Sequence, residues 1–118
     1  KIKFKHNINI KSIPVKHGNI NCMSFIINKK LAYAPDVNKI YPKDLIHFKN
    51  LKYLVIDCLR IKTHPSHFCL NDILKLNNIL KPWKIILTNM HSDLDYNHLL
   101  KILPKNIEPG FDGLKLRI

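Results

Sequence analysis

Six side chains able to hold a metal ion or move a proton fall at or just beyond the ends of apolar runs: His17, Asp36, Asp57, His64, His67 and His91. Neutral imidazoles and carboxylates are the donors that suit Zn²⁺ or Mn²⁺. An imidazole beside a carboxylate can also carry a proton near neutral pH. In folds that layer helices on a sheet, functional residues gather at the carboxyl ends of strands, where loops converge. Each of the six has a plain reading as well. A strand-end His17 can simply hydrogen-bond backbone, and Pro35-Asp36-Val37-Asn38 is ordinary turn chemistry. Asp57 can pair with Arg60 or a lysine, and His64 and His67 can sit in a solvated loop. Their placement at successive strand ends is what gives the set weight.

The elements that must position them follow from hydrophobic period. Residues 1–10, KIKFKHNINI, put Ile2, Phe4, Ile8 and Ile10 on one parity, the pattern of a half-buried strand. IPVKH forms a second strand running to Gly18, and INCMSFII (20–27) a third. Asn28-Lys29-Lys30 turns the chain into LAYA (31–34). Pro42 starts a short helix to Phe48. KYLVID (52–57) and WKIILT (83–88) are continuous apolar runs of the buried-strand type. Residues 70–80 have helical spacing, as do 93–103, where Asp93 can cap the first turn. After Gly113, LKLRI reads as a terminal strand. Antiparallel strands followed by alternating helices and strands predict an α/β (or α+β) sheet layered against helices in one domain, 1–118. Phe25, Tyr33, Tyr53, Phe68 and Trp83 are expected in the core.

Composition bounds the rest. The chain has 118 residues, 46% of them hydrophobic, which suits a folded domain and argues against disorder. No apolar run approaches the roughly 18 residues of a membrane span, and no signal-peptide pattern is present. Three cysteines, Cys22, Cys58 and Cys69, form no C-x-x-C pair, so free thiols in a reducing cytoplasm are expected. The net charge of +12 allows non-specific polyanion binding. Nearly all of the positive charge is lysine, with only Arg60 and Arg117 able to bind phosphate bidentately, and no nucleic-acid recognition motif accompanies it.

Four blocks carry a resemblance: YAPDVNKI, VIDCLRIKTHPSHFCL, IILTNMHSDLDY and IEPGFDGLKL. Together they resemble the metallo-β-lactamase-fold hydrolases. The similarity lies near the cyclic-phosphate phosphodiesterases of bacterial phosphonate metabolism, with the tRNA 3′-end ribonucleases more distant, and it runs from about His17 to the C-terminus. It implies the C-terminal half of an αβ/βα sandwich and a binuclear divalent-metal site, Zn or Mn. His17 of PVKHG would bind one metal, Asp36 would bridge both, and His91 of TNMHSDLDY would bind the second. His67, or else His64, corresponds to the histidine that contacts the substrate phosphate or leaving group, with Asp57 orienting it.

The family's H-x-H-x-D-H run is absent from this sequence. His6 stands alone, and His47 and His98 fall in helical stretches. Three protein ligands are usual even for an open catalytic zinc, so the isolated chain is expected to be inactive. The leading expectation is a truncated or split phosphodiesterase-like hydrolase, completed by an N-terminal half on an upstream segment or a second chain. The chain opens at Lys1 rather than Met, in keeping with that expectation. Two alternatives are a small basic nucleic-acid-binding domain and a vestigial, non-catalytic remnant that survives as a homodimer.

Overall fold

The computed structural model describes residues 2–4 and 6–118, residues 2–4 by their backbone. Seven strands form one sheet in chain order: β1 (Ile2–Phe4), β2 (Ile8–His17), β3 (Ile20–Ile27), β4 (Leu31–Ala34), β5 (Tyr53–Asp57), β6 (Lys84–Thr88) and β7 (Ile107–Pro109). β1 to β4 pair antiparallel; β4, β5, β6 and β7 pair parallel. Two antiparallel steps give β2 the direction of β4. The carboxyl ends of β2, β4, β5 and β6 therefore meet at one end of the sheet, the end that carries His17, Asp36 and Asp57.

The parallel strands are joined by a 3-10 helix (Pro42–Phe48), by α1 (Leu70–Leu80) and by α2 (Tyr96–Ile102). One face of the sheet presents Ile13, Val15, Ile26, Ala32, Ala34, Leu54, Ile56, Ile85 and Leu87, alternate residues brought into line by the register. These pack in one buried cluster with Phe48, with Leu70, Ile73, Leu76 and Leu80 of α1, and with Leu99 of α2. Ser24 interrupts that face without cost, because its hydroxyl donates to the Ile13 carbonyl at 2.8 Å.

Several boundaries differ from the sequence expectations for physical reasons. The first break falls at His6 and Asn7, both at positive φ (74° and 60°), so β2 runs unbroken through Ser12. The inner placement expected for Ile2 and Phe4 lies outside the described residues. Asp95, not Asp93, caps α2, accepting from the His98 N–H at 2.8 Å, so the helix starts at Tyr96. LKLRI forms no strand. β7 takes the edge of β6 instead, and the Gly110 N–H donates to the Leu87 carbonyl at 2.8 Å. A Cβ at Gly110 would lie 2.7 Å from that oxygen, so only glycine permits the approach. Beyond it Phe111, Leu114 and Leu116 line a cleft with Val55 and Ile86 on the second face of the sheet.

That second face is only partly covered. Tyr53 and Ile86 are buried under the tail and its surroundings, whereas Met23, Phe25 and Tyr33 on β3 and β4 are exposed at 45%, 38% and 42%. Trp83 is exposed as well. Of the five aromatics expected in the core, only Tyr53 and Phe68 are there.

All three cysteines are free; Cys58 and Cys69 are buried and Cys22 is half-buried. Burial first, and then the neighbouring Asp57 charge, push the Cys58 thiol up to about 12. Maleimide labelling of the native protein at pH 8, read by mass spectrometry, is expected to modify Cys22 fast and to reach Cys58 and Cys69 only on unfolding. Rapid labelling at Cys58 would mean that the β5 end is open.

Candidate metal centre

Backbone contacts draw the strand ends together before any side chain is considered. Next to His17, Lys16 exchanges backbone hydrogen bonds with the loop after β4: Asn38 N–H to the Lys16 carbonyl at 2.9 Å and Lys16 N–H to the Lys39 carbonyl at 3.0 Å. The Asn38 side chain then accepts from the Gly18 N–H at 2.8 Å. The loop after β5 is fixed to the same place by the Phe68 N–H, which donates to the Val37 carbonyl at 2.8 Å. Gly18, at φ +63°, lets Ser66 sit close; a Cβ there would be 3.1 Å from the Ser66 Cβ.

The result is a cluster in which ligand atoms of His17, Asp36 and His67 lie within 4.8 Å of one another. The imidazoles of His17 and His67 meet edge-on, with centroids 4.7 Å apart. His17 Nδ1 lies 2.7 Å from the Ser66 carbonyl oxygen. A carbonyl only accepts, so Nδ1 carries the proton and Nε2 keeps a free lone pair. His67 Nδ1 lies 2.5 Å from Asp57 Oδ2, which fixes the same tautomer. This is the arrangement by which a histidine bonded behind to a carboxylate or carbonyl is oriented toward a metal in front.

Asp57 has no exposed surface. Besides His67, its carboxylate accepts from the Val37 N–H at 3.0 Å and from the Asn89 amide at 3.3 Å. Burial pushes its pKa above the ordinary carboxylate range, while the Val37, His67 and Asn89 hydrogen bonds pull it back down. Asp36 is the opposite case. Among the described residues its carboxylate takes part in no hydrogen bond or ion pair, and the turn it belongs to is bonded through Asp57 and Asn38 instead. A structural turn role for the Asp36 side chain has no contact to support it.

His64 stands beside the cluster, its ring 5.0 Å from that of His67. Its Nδ1 accepts from the Ser66 N–H at 3.1 Å, so the neutral ring bears its proton on Nε2. Partial desolvation, then the charges of Arg60 and the neighbouring histidines, lower its proton affinity. His64 is therefore built to donate a hydrogen bond from Nε2 rather than to ligate a metal through it.

Among the described residues His91 lies outside this cluster. Its side chain is 64% exposed, and Nδ1 lies 3.5 Å from Asp93 Oδ1. Two residues earlier, Asn89 takes a left-handed conformation (φ 58°) immediately after β6 and turns its own amide inward to Asp57 and the Pro35 carbonyl. Asn89 is thus a residue from that block that reaches the centre, although its place in the block gave it no chemical role.

The donors fit a divalent ion in kind: two imidazole nitrogens with free lone pairs and one carboxylate. Two atoms each about 2.1 Å from one ion can be at most about 4.2 Å apart. A spread of up to 4.8 Å is at or just beyond that limit.

The two aspartates should separate cleanly in urea unfolding. Asp57→Ala leaves the buried Val37 N–H without an acceptor and is expected to cost about 3 kcal/mol. Asp36→Ala, which removes no contact, should change stability by no more than about 0.5 kcal/mol. Equal losses at both positions would show that Asp36 is structural.

No protein-family model matches the sequence, and no curated protein does. Solved structures do match. A diphosphatase from the PhnP family superimposes with a TM-score of 0.89 and 28% identity over 94% of this chain, but only 44% of its own. The metallo-β-lactamase-fold protein YhfI from Bacillus subtilis matches with a TM-score of 0.70 at 12% identity, over 87% of this chain and 46% of its own. The short form of human tRNase Z matches with a TM-score of 0.65 at 10% identity, over 75% of this chain and 38% of its own. The chain spans less than half the length of each, so the seven-stranded sheet with its helices is a partial metallo-β-lactamase-fold domain.

Proposed function

We propose that this chain is the C-terminal part of a metal-dependent hydrolase acting on phosphate esters or anhydrides, and that it works with an N-terminal half bearing the H-x-H-x-D-H ligands. The observation that carries the proposal is the convergence of His17, Asp36 and His67 from three separate strand ends. The likeness to a diphosphatase and a tRNase is in keeping with phosphate chemistry.

In this reading His17, through Nε2, and Asp36 hold a divalent ion, Zn or Mn. When bound, the ion would polarise a phosphoryl oxygen and a water. His67 is the proton-transferring group. Asp57 grips its Nδ1–H, stabilises the imidazolium and aims Nε2 at the leaving oxygen. Asn89 and the Val37 N–H keep that carboxylate in place. The Nε2–H of His64 donates to a substrate oxygen. His91 is left out of the ligand set because its ring is exposed and faces Asp93.

The missing half has a place to go. The second face of the sheet leaves Met23, Phe25 and Tyr33 in solvent, an apolar strip that a second layer would cover. A split or truncated gene product accounts for such a face, and the free thiols suit a reducing compartment such as the cytoplasm. No helix is long and apolar enough to cross a membrane.

Calorimetric titration of Mn²⁺ tests the assignment, first into the chain alone and then after addition of an H-x-H-x-D-H half taken from the PhnP-family diphosphatase. Binding to the chain alone should be weak and lost in His17→Ala and Asp36→Ala; the added half should tighten it about 10-fold or more. His67→Ala should keep the affinity of the pair within about 3-fold while abolishing phosphodiester hydrolysis. Unchanged affinity on adding the half, with the chain paired to itself in sedimentation, would favour a homodimeric remnant instead.

A further inference from the structure

The end of the sheet opposite the metal centre carries a second feature. We propose that a lysine-lined groove there binds single-stranded nucleic acid, with Trp83 as the stacking platform. The turn Asn28–Lys30 enters β4, residues 49–52 enter β5 and residues 81–83 enter β6, so all lie at the amino ends of the parallel strands. Two clefts form between them. The larger, about 1090 Å³, is lined by Lys11, Lys29, Lys30 and Lys49 among others. The smaller, about 460 Å³, is lined by Lys29, Lys30, Lys52, Lys81 and Trp83 among others. They share Lys29, Lys30 and Leu51, so they join into one groove with six lysines along it.

No aspartate or glutamate lines either cleft. Among the described residues the ion pairs are His67–Asp57, Lys84–Glu108 and His91–Asp93, so no groove lysine is neutralised by a carboxylate. Clustered like charge costs the folded protein self-repulsion, which a polyanion would relieve. The floor is polar, with Asn9, Ser12 and Asn28 among its residues, and can hydrogen-bond to phosphate and sugar.

Trp83 sets the kind of polyanion. Its ring is anchored edge-on against the buried Tyr53, centroids 5.6 Å apart, yet the residue is 61% exposed. Lys84 Nζ lies 5.3 Å from the indole centroid. A held, solvent-facing indole among lysines offers an unpaired base a stacking surface while the lysines follow its backbone. A lipid surface would be met by a face with many apolar tips; this groove has two, Trp83 and Ile46, among six lysines.

Trp83 is the only tryptophan, so its emission reads the groove directly. A fluorescein-labelled 12-mer of oligouridylate, titrated by anisotropy across a salt series, should give a log–log slope of about −4 if all six lysines engage. Saturation should quench Trp83. Lys29→Glu/Lys30→Glu/Lys49→Glu should weaken binding at least about 10-fold and bring the slope to about −2. Lys101→Glu/Lys105→Glu/Lys115→Glu lowers the net charge equally and lies outside the groove, so it should weaken binding by less than about 3-fold. Equal losses in the two triple variants would overturn the proposal, as would unchanged Trp83 emission at saturation. Tighter binding to phosphatidylglycerol vesicles than to the oligonucleotide would overturn it too. The wild-type slope and quench decide without any variant that might misfold.

Discussion

A carboxylate with no exposed surface ties this end of the molecule together. Asp57 closes β5 and accepts from the Val37 N–H of the loop after β4, the Asn89 amide at the end of β6, and the His67 imidazole of the loop that leads to α1. A buried carboxylate is stable only when its lone pairs are satisfied, and each donor here comes from a different segment. The same bonds that make Asp57 tolerable therefore fix the spacing of three strand ends. His67 inherits its orientation from that contact, and through His67 the cluster with His17 and Asp36 inherits its shape.

The sheet has two unlike faces and two unlike ends. One face is filled by the helices and forms the core; the other is covered by the C-terminal tail over β5 and β6 but left open over β3 and β4. An apolar strip is exposed on one half of that face, and the chain spans less than half the length of each matching structure. The two ends follow from parallel pairing. Carboxyl ends collect the imidazoles and carboxylates, and amino ends collect lysines from the turns that enter each strand.

Much of this was legible in the residues. The apolar runs of β5 and β6 and the helical spacing of 70–80 led to the right elements, because buried strands and an amphipathic helix leave strong periodic signals. His17, Asp36, Asp57 and His67 could be picked out as strand-end groups, and the resemblance placed them in one family pattern. Three things were hidden. The turn at His6–Asn7 depends on left-handed backbone at residues with no glycine to announce it. Phe25, Tyr33 and Trp83 read as core because alternation shows which residues share a face, not whether that face is covered. His91, expected as a ligand, stands outside the cluster of described residues with its ring exposed beside Asp93, and nothing in its spacing from the apolar run signals that placement.

The tautomers of the histidines test the account most directly, and long-range ¹⁵N–¹H correlation spectra of the free chain report them without metal or partner. His17 and His67 should both carry the proton on Nδ1 and leave Nε2 bare, one held by the Ser66 carbonyl and the other by Asp57, with His64 in the opposite tautomer. A bare Nδ1 on His67, or a His67 ring averaging between tautomers like a solvated side chain, would contradict the buried carboxylate's hold on it and with that the centre itself.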